Sequence, residues 1–251
     1  MNSILRALLV IGGCTGLLAG CAGALSWNPR GIFGQAQGAV TVEAIPRQYT
    51  VRPGDTLYSI AWRYGLDYHD VATWNGIGSD YLIKPGQSLA LAAPSRFTAA
   101  SVKPATHTGA VATSSRPAES NNYAPPSGPL RWFWPAKGAL VRMYHTNDPL
   151  SKGIDISGVR GQDIVAAAPG KVVYTGSAII GYGKLIIIKN SDQFLSAYAD
   201  NESMLVQEGE TVKAGERIAT MGLDRDGHPL LHFEIRYNGK PVNPLSYLPH
   251  H

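Results

Sequence analysis

The chain has 251 residues, enough for one or two domains. Its 44% hydrophobic content excludes a chain that is disordered throughout, and its 28 Gly and 17 Pro favour short strands joined by turns over a helical bundle. The net charge of +4 is spread along the chain without a concentrated basic segment, which excludes a nucleic-acid partner.

Residues 1–20 are predicted to be a lipoprotein signal peptide. Arg6 supplies the positive charge near the start, and the apolar stretch that follows is too short to span a bilayer. It ends in Leu18-Ala19-Gly20-Cys21, which resembles a bacterial lipobox. The resemblance implies that Cys21 is acylated and anchors the chain to a membrane. Ala22 at the next position, in place of Asp, implies the outer membrane, facing the periplasm. The alternative is an ordinary signal peptide with a chance cysteine.

A Gly- and Ala-rich spacer at residues 21–47 precedes a compact segment at residues 48–92. That segment predicts a βααβ unit, with a strand, two helices and a returning strand: Gln48–Val51, a helix that Asp55 or Thr56 caps and Gly65 ends, Tyr68–Asn75, and Ser88–Leu91.

Several strings at fixed offsets in this segment resemble a LysM domain: Tyr49-Thr50-Val51-Arg52-Pro53-Gly54-Asp55-Thr56-Leu57, Trp74-Asn75 and Ile83-Lys84-Pro85-Gly86-Gln87. The resemblance implies binding to the N-acetylglucosamine-containing glycan strands of peptidoglycan. It places the binding groove at Gly54, Asp55, Thr56, Leu57, Ile83, Lys84 and Pro85. For Leu57, Ile60 and Trp74 the alternative is a position in the core.

Residues 93–130 are rich in Ala, Ser, Thr and Pro and have no apolar periodicity, which predicts a disordered linker. Residues 131–251 carry apolar runs separated by glycines, and these predict a mainly antiparallel β domain. The expected fold class is therefore an α+β multidomain protein, with two domains on a flexible tether.

The C-terminal segment resembles the lysostaphin-type, or LytM-like, zinc metallopeptidases of the cell wall. The resemblance is carried by Gly153-Ile154-Asp155-Ile156, Gly181-Tyr182-Gly183, Ser196-Ala197-Tyr198 and Leu231-His232-Phe233-Glu234-Ile235-Arg236. Active members hold zinc with a His, an Asp and the last His of His-x-His, and use two further His in catalysis. Carried over, the zinc ligands fall on Ser151, Asp155 and His232, and the catalytic His positions fall on Asp200 and Leu230. One ligand and both catalytic histidines are therefore missing.

These losses imply that the chain is not an enzyme and binds no metal or other cofactor, because a catalytic zinc site takes three protein ligands. The domain order resembles the murein hydrolase activator lipoproteins of the NlpD type. In that family the degenerate domain activates a periplasmic N-acetylmuramoyl-L-alanine amidase at cell division. The vacant groove is then expected to be a less charged docking surface that receives an apolar helix face. The predicted partner contacts are Ser151, Asp155, Tyr174, Tyr182, Asp200, Leu230 and His232.

Two other functions stay open at this point. One is a zinc-dependent peptidoglycan endopeptidase. The other is a passive tether that joins the outer membrane to the wall through its lipid and its LysM-like segment.

Overall fold

The computed structural model describes residues 45–94, 129–146 and 152–250, which form an N-terminal domain (45–94) and a C-terminal domain (129–250). Cys21, the predicted signal peptide, Ser151, and most of the predicted spacer and linker lie outside the described residues. Within the described ranges, no helix has the length and apolar character needed to cross a membrane.

The N-terminal domain has the predicted βααβ order. Its elements are β1 (Gln48–Thr50), α1 (Leu57–Tyr64), α2 (Tyr68–Asn75) and β2 (Ser88–Ala90), and β1 pairs antiparallel with β2. Thr56 caps α1 in a reciprocal capping box with Ser59, and Gly65 ends the helix with a left-handed backbone. Leu57 and Ile60 are fully buried, so the helix contributes its apolar face to the core.

The C-terminal domain is a mainly antiparallel β structure, as the sequence predicts. Its strands are β3 (Leu140–Arg142), β4 (Ile154–Ser157), β5 (Asp163–Val165), β6 (Gly170–Gly176), β7 (Leu185–Lys189), β8 (Phe194–Ala199), β9 (Asn201–Met204), β10 (Thr211–Val212), β11 (Arg217–Leu223), β12 (Pro229–Tyr237) and β13 (Lys240–Val242), followed by a 3-10 helix at Pro244–Ser246. The described strands join in one sheet, in the order β10-β6-β7-β8-β12-β11-β5. In it β4 and β13 also pair with β12, β3 pairs with β4, and β9 pairs with β11.

Strand β7 is buried on both of its faces. Ile186 and Ile188 point into the core of the C-terminal domain, whereas Leu185 and Ile187 belong to a second apolar cluster. That second cluster also contains Leu57 and Trp62 of the N-terminal domain. Because successive side chains of a strand point to opposite faces, the sheet packs its own core on one side and the N-terminal domain on the other.

The two domains therefore pack against each other, and most of the predicted linker between them lies outside the described residues. Polar contacts join them outside the apolar cluster. The Tyr68 hydroxyl donates to the backbone oxygen of Asp192 at 3.0 Å, and the Lys240 ammonium donates to that of Gly65 at 3.1 Å. The linker composition gave no sign of this contact, because the contact depends on the outer face of β7 and not on the linker.

Candidate functional site

A cleft of about 350 Å³ opens beside the central strand β12. Five of the residues predicted to contact a partner line it: Asp155, Tyr182, Asp200, Leu230 and His232. Strand pairing explains why they meet. His232 lies opposite Asp155 on β4 and opposite Ala199 on β8, and Leu230 and His232 point to the same side of β12.

His232 lies between two carboxylates at the floor of the cleft. Its Nδ1 is 2.6 Å from Oδ1 of Asp155, and its Nε2 is 3.2 Å from Oε1 of Glu234. Burial by itself lowers the pKa of His232, but the hydrogen bonds to the two carboxylates outweigh burial and raise that pKa to about 9. The imidazole is therefore positively charged at neutral pH and donates to both carboxylates.

Glu234 is the most connected acid of the cleft. Its Oε1 accepts a hydrogen bond from the Tyr182 hydroxyl at 2.6 Å, and its Oε2 accepts one from Arg236 at 3.0 Å. Burial raises the pKa of Glu234, but the positive charges of Arg236 and His232 outweigh that effect and lower it to about 2. This fully buried carboxylate is thus charged and paired, as a buried charge must be.

Two of the three positions that the resemblance gives to zinc ligands, Asp155 and His232, line the cleft. The third, Ser151, lies outside the described residues. A catalytic zinc site takes three protein ligands and an open position. Arg142 also places its Nε 3.1 Å from Oδ2 of Asp155, so a cation already neutralises the carboxylate that a zinc ion requires.

Asp200 falls at a position where the resemblance to the peptidases places a catalytic histidine. It has a left-handed backbone, with φ of 59°, and its N–H donates to the Tyr182 carbonyl at 3.0 Å. Burial raises its pKa to about 6. A short carboxylate that is ionised at neutral pH is not equivalent to an imidazole as a general acid, so this substitution changes the chemistry as well as the shape.

Most of the residues that line the cleft are ionisable, and the expectation of a less charged groove is wrong. Besides the predicted residues, the lining includes Arg142, Lys152, Asp224, Arg225, Asp226 and Glu234. The exposed Ile180 adds an apolar rim. The cleft therefore complements a segment with charged side chains better than a purely apolar helix face.

Asp224, Asp226 and His228 form a loop at one end of the cleft. Within the described residues, this is the one group of three His, Cys, Asp or Glu side chains whose ligand atoms all lie within 4.8 Å of one another. Oδ1 of Asp224 already accepts hydrogen bonds from the backbone N–H of Asp226 and of His228. This acidic side chain therefore stabilises the turn.

Comparison with known proteins places both domains in families. Residues 149–244 match peptidase family M23, and residues 49–91 match the LysM domain. The chain is 44% identical to the uncharacterized lipoprotein YgeR of Escherichia coli strain K12, over 93% of this chain and 88% of that protein. It is 38% identical to the murein hydrolase activator NlpD of the same strain, over 80% of this chain and 67% of that protein.

A lipoprotein NlpD/LppB homolog of Pseudomonas aeruginosa is 41% identical, over 80% of this chain and 77% of that protein. The chain belongs to the NlpD family of lipoproteins. The predicted resemblances to LysM domains, to LytM-like domains and to NlpD-type proteins are thereby confirmed. Membership of the NlpD family, together with the LysM and M23 domains, supports an activator role in peptidoglycan metabolism.

The two other predicted partner contacts of this NlpD-family chain are Ser151, which lies outside the described residues, and Tyr174. The prediction for Tyr174 is wrong, because its side chain is buried in the cluster shared with the N-terminal domain and its hydroxyl accepts the N–H of Ala178. Tyr174 pairs with Ile187, on the sheet face that the N-terminal domain covers. It lies on β6, which is three strands away from β12 in the sheet.

The residues predicted for glycan binding lie on two adjacent turns of the N-terminal domain. Backbone hydrogen bonds from Val51 to Gly86 and Gln87 bring these turns side by side. Gly54, Lys84 and Pro85 are exposed, and Thr56 and Ile83 are half-buried. Leu57 is fully buried, so its predicted place in the groove is wrong and its alternative place in the core is right.

Asp55, also predicted for glycan binding, directs its carboxylate inward. Its Oδ2 accepts hydrogen bonds from the Tyr49 hydroxyl at 2.7 Å and from the N–H of Arg52 at 2.9 Å. Its Oδ1 lies 3.5 Å from Arg63. Asp55 therefore shapes the first turn, and the exposed surface of that turn comes from its neighbours.

Two residues of the NlpD-family cleft, Arg142 and Glu234, were not predicted from the sequence. For Glu234 a signal was available, since His232, Glu234 and Arg236 place a polar residue at every second position of an otherwise apolar strand. That period puts the three side chains on one face of β12. For Arg142 no local signal exists, because its contact with Asp155 depends on the pairing of β3 with β4.

Proposed function

We propose that this protein is a lipoprotein of the outer membrane, anchored through Cys21 and facing the periplasm, that activates a periplasmic N-acetylmuramoyl-L-alanine amidase while septal peptidoglycan is split. Its N-terminal domain binds glycan strands of peptidoglycan at the turns that carry Gly54, Thr56 and Ile83–Pro85. Its C-terminal domain binds the amidase and is not itself a hydrolase. The relative named a murein hydrolase activator supports this assignment.

One observation carries the proposal, namely a peptidase-type cleft in which Asp200 and Leu230 take the positions that the resemblance gives to the catalytic histidines. Asp155 and His232 remain at the floor, but Arg142 neutralises Asp155, and Leu230 replaces a catalytic imidazole. Removal of a single oxyanion donor typically slows an enzyme by about 10² to 10³. The loss of two catalytic histidines together with a zinc ligand leaves no efficient route to hydrolysis, whereas the cleft itself remains available for binding.

Activation by such a cleft is a population shift. An activator that binds the active form of an amidase more tightly than the inactive form raises the active fraction, and equal affinity for both forms would change nothing. The charged lining favours an amidase segment that carries complementary charges, with an apolar side chain near the exposed Ile180.

The deciding experiment is hydrolysis of purified peptidoglycan by the soluble chain that starts at Ser26, alone and with each zinc amidase of the host. We expect release of soluble fragments above the amidase's own rate only in a mixture. Hydrolysis by the chain alone, abolished by a chelator, would instead establish the endopeptidase. If the chain binds peptidoglycan but stimulates no amidase, the passive tether is the function that remains.

A matched pair of substitutions tests whether the cleft is the contact surface. Ile180 is 90% exposed at the rim, so Ile180→Lys should weaken stimulation of the amidase without unfolding the domain. Leu205→Lys is the control, because Leu205 is also an exposed apolar residue of the C-terminal domain but does not line the cleft. Equal stimulation by the two variants would remove this rim from the interface.

A further inference from the structure

A single guanidinium connects the N-terminal domain to the wall of the cleft. The Cζ atom of Arg236 lies 3.5 Å from the ring centroid of Trp62 on α1, and its Nη1 donates to the Trp62 carbonyl at 2.8 Å. Arg236 is 1% exposed and Trp62 is 2% exposed. The buried guanidinium of Arg236 interacts with both the ring and the carbonyl of Trp62, so this residue of the C-terminal domain is also packed into the N-terminal domain.

The other side of the same guanidinium holds two residues that line the cleft. Nε of Arg236 donates to Oε2 of Glu234 at 3.0 Å, and its Nη2 donates to the Tyr182 hydroxyl at 3.3 Å. The Trp62 and Tyr182 rings also meet edge to face, with centroids 6.4 Å apart. Trp62 thus lies directly behind the cleft wall, separated from the cleft by one layer of side chains.

Helix α1 also contacts the loop that forms the rim. Nη2 of Arg63 donates to the Ala178 carbonyl at 3.4 Å, and the N–H of Ala178 donates to the Tyr174 hydroxyl at 3.2 Å. Ile180 and Tyr182, both lining residues, follow Ala178 in the same loop. Two consecutive residues of α1 therefore hold the loop on one side of the cleft.

We propose that the N-terminal domain is a structural wall of the partner-binding cleft, and that Trp62 and Arg236 are positioning residues through which its docking sets the affinity for the amidase. Without the domain, water reaches Arg236 and the outer face of β7. Arg236 then loses the carbonyl and the ring of Trp62, which hold the guanidinium that orients Glu234 and Tyr182. This inference rests on the proposed function, because it assigns to the N-terminal domain a second role beside glycan binding.

A glycine in the turn between β12 and β13 provides a substitution that separates the domains without removing a side chain. Gly239 is buried, has φ of 73°, and a Cβ on it would overlap the backbone of Leu66 and Asp67 in the N-terminal domain. Gly215 has φ of 79° and open space around it. Gly239→Ala and Gly215→Ala therefore impose the same backbone strain, and only the first displaces the N-terminal domain.

Calorimetric unfolding of the soluble chain from Ser26 measures docking without any partner. Since the two domains share an apolar cluster, we expect one cooperative transition for the wild type and for Gly215→Ala, and two transitions for Gly239→Ala. A single, unshifted transition for Gly239→Ala would show that the domains do not pack as described and would overturn the inference. If Gly239→Ala fails to fold, Trp62→Leu replaces it, because leucine keeps apolar volume but removes the ring against Arg236.

Binding of the same proteins to each immobilised zinc amidase of the host then tests the consequence. We expect Gly239→Ala to raise the Kd about tenfold, within the usual range of coupling between sites, and Gly215→Ala to leave it within about twofold. Two transitions combined with an unchanged Kd would overturn the inference and leave the proposed function intact. Absence of wild-type binding to every amidase would refute the proposed function itself.

Discussion

Replacement of Ile187 tests whether the N-terminal domain covers the outer face of the sheet. Ile187 is fully buried and packs in the cluster that contains Leu57 and Trp62 of the other domain. Truncation of a buried isoleucine to alanine costs about 2–5 kcal/mol, whereas a change at an exposed surface position stays within about 0.5 kcal/mol. We therefore expect Ile187→Ala to lower the free energy of unfolding by about 2–5 kcal/mol.

The assay is equilibrium unfolding in urea, followed by circular dichroism, on the soluble chain that starts at Ser26. Two control variants give the upper and lower limits expected for this loss of stability. Ile186→Ala removes the adjacent side chain from the opposite face and should cost as much, because Ile186 belongs to the core of the C-terminal domain. Ile180→Ala, at a position that is 90% exposed, should cost almost nothing. If Ile187→Ala behaves like Ile180→Ala, the outer face of β7 is open to water and the packing of the domains is refuted.

Three further outcomes are expected. The charges of Arg236 and His232 hold the pKa of Glu234 at about 2, below its ordinary value of 4.5. The ionised carboxylate therefore stabilises the fold fully at pH values above 4.5, and this contribution is lost as the pH falls towards 2. Glu234→Gln should therefore cost about 3–5 kcal/mol at neutral pH and reduce the loss of stability on acidification, as thermal unfolding at a series of pH values will show. The Asn75 side chain donates to the carbonyl of Ala90 and accepts from the N–H of Ala90. Asn75→Ala should therefore lower the free energy of unfolding by about 1–3 kcal/mol and leave binding to peptidoglycan at room temperature unchanged. A loss of binding in the folded variant would contradict this prediction. After saturation with zinc and dialysis, metal analysis should find far less than one zinc ion per chain, and one per chain would show that the cleft completes a metal site.

The elements of both domains were predictable because their signals are local. A capping residue, a left-handed glycine and apolar spacing define α1 within a few residues, and the same holds for the glycine-punctuated strands of the C-terminal domain. The positions of Asp155 and His232 in the cleft were also predictable, since the family motifs define the register of β4 against β12. Their proposed role as partner contacts stays a prediction.

The errors occurred where a position depends on a contact that the local pattern does not encode. Tyr174 was assigned to the cleft, but it lies on β6, three strands away from β12, where the N-terminal domain covers it. The charge of the cleft was underestimated, in part because Arg142 reaches Asp155 only through the pairing of β3 with β4.

The sequence by itself determined the two domain types and their strand and helix order, because each of these follows from residue types at short or fixed spacing. Only the tertiary structure decided that the domains pack together and that Arg236 links Trp62 to the cleft wall. The run Leu185–Ile188 is apolar on both faces of the strand, so a layer of structure must cover each face. Which part of the chain forms each layer depends on how surfaces built from distant residues fit together, and the local sequence does not show this.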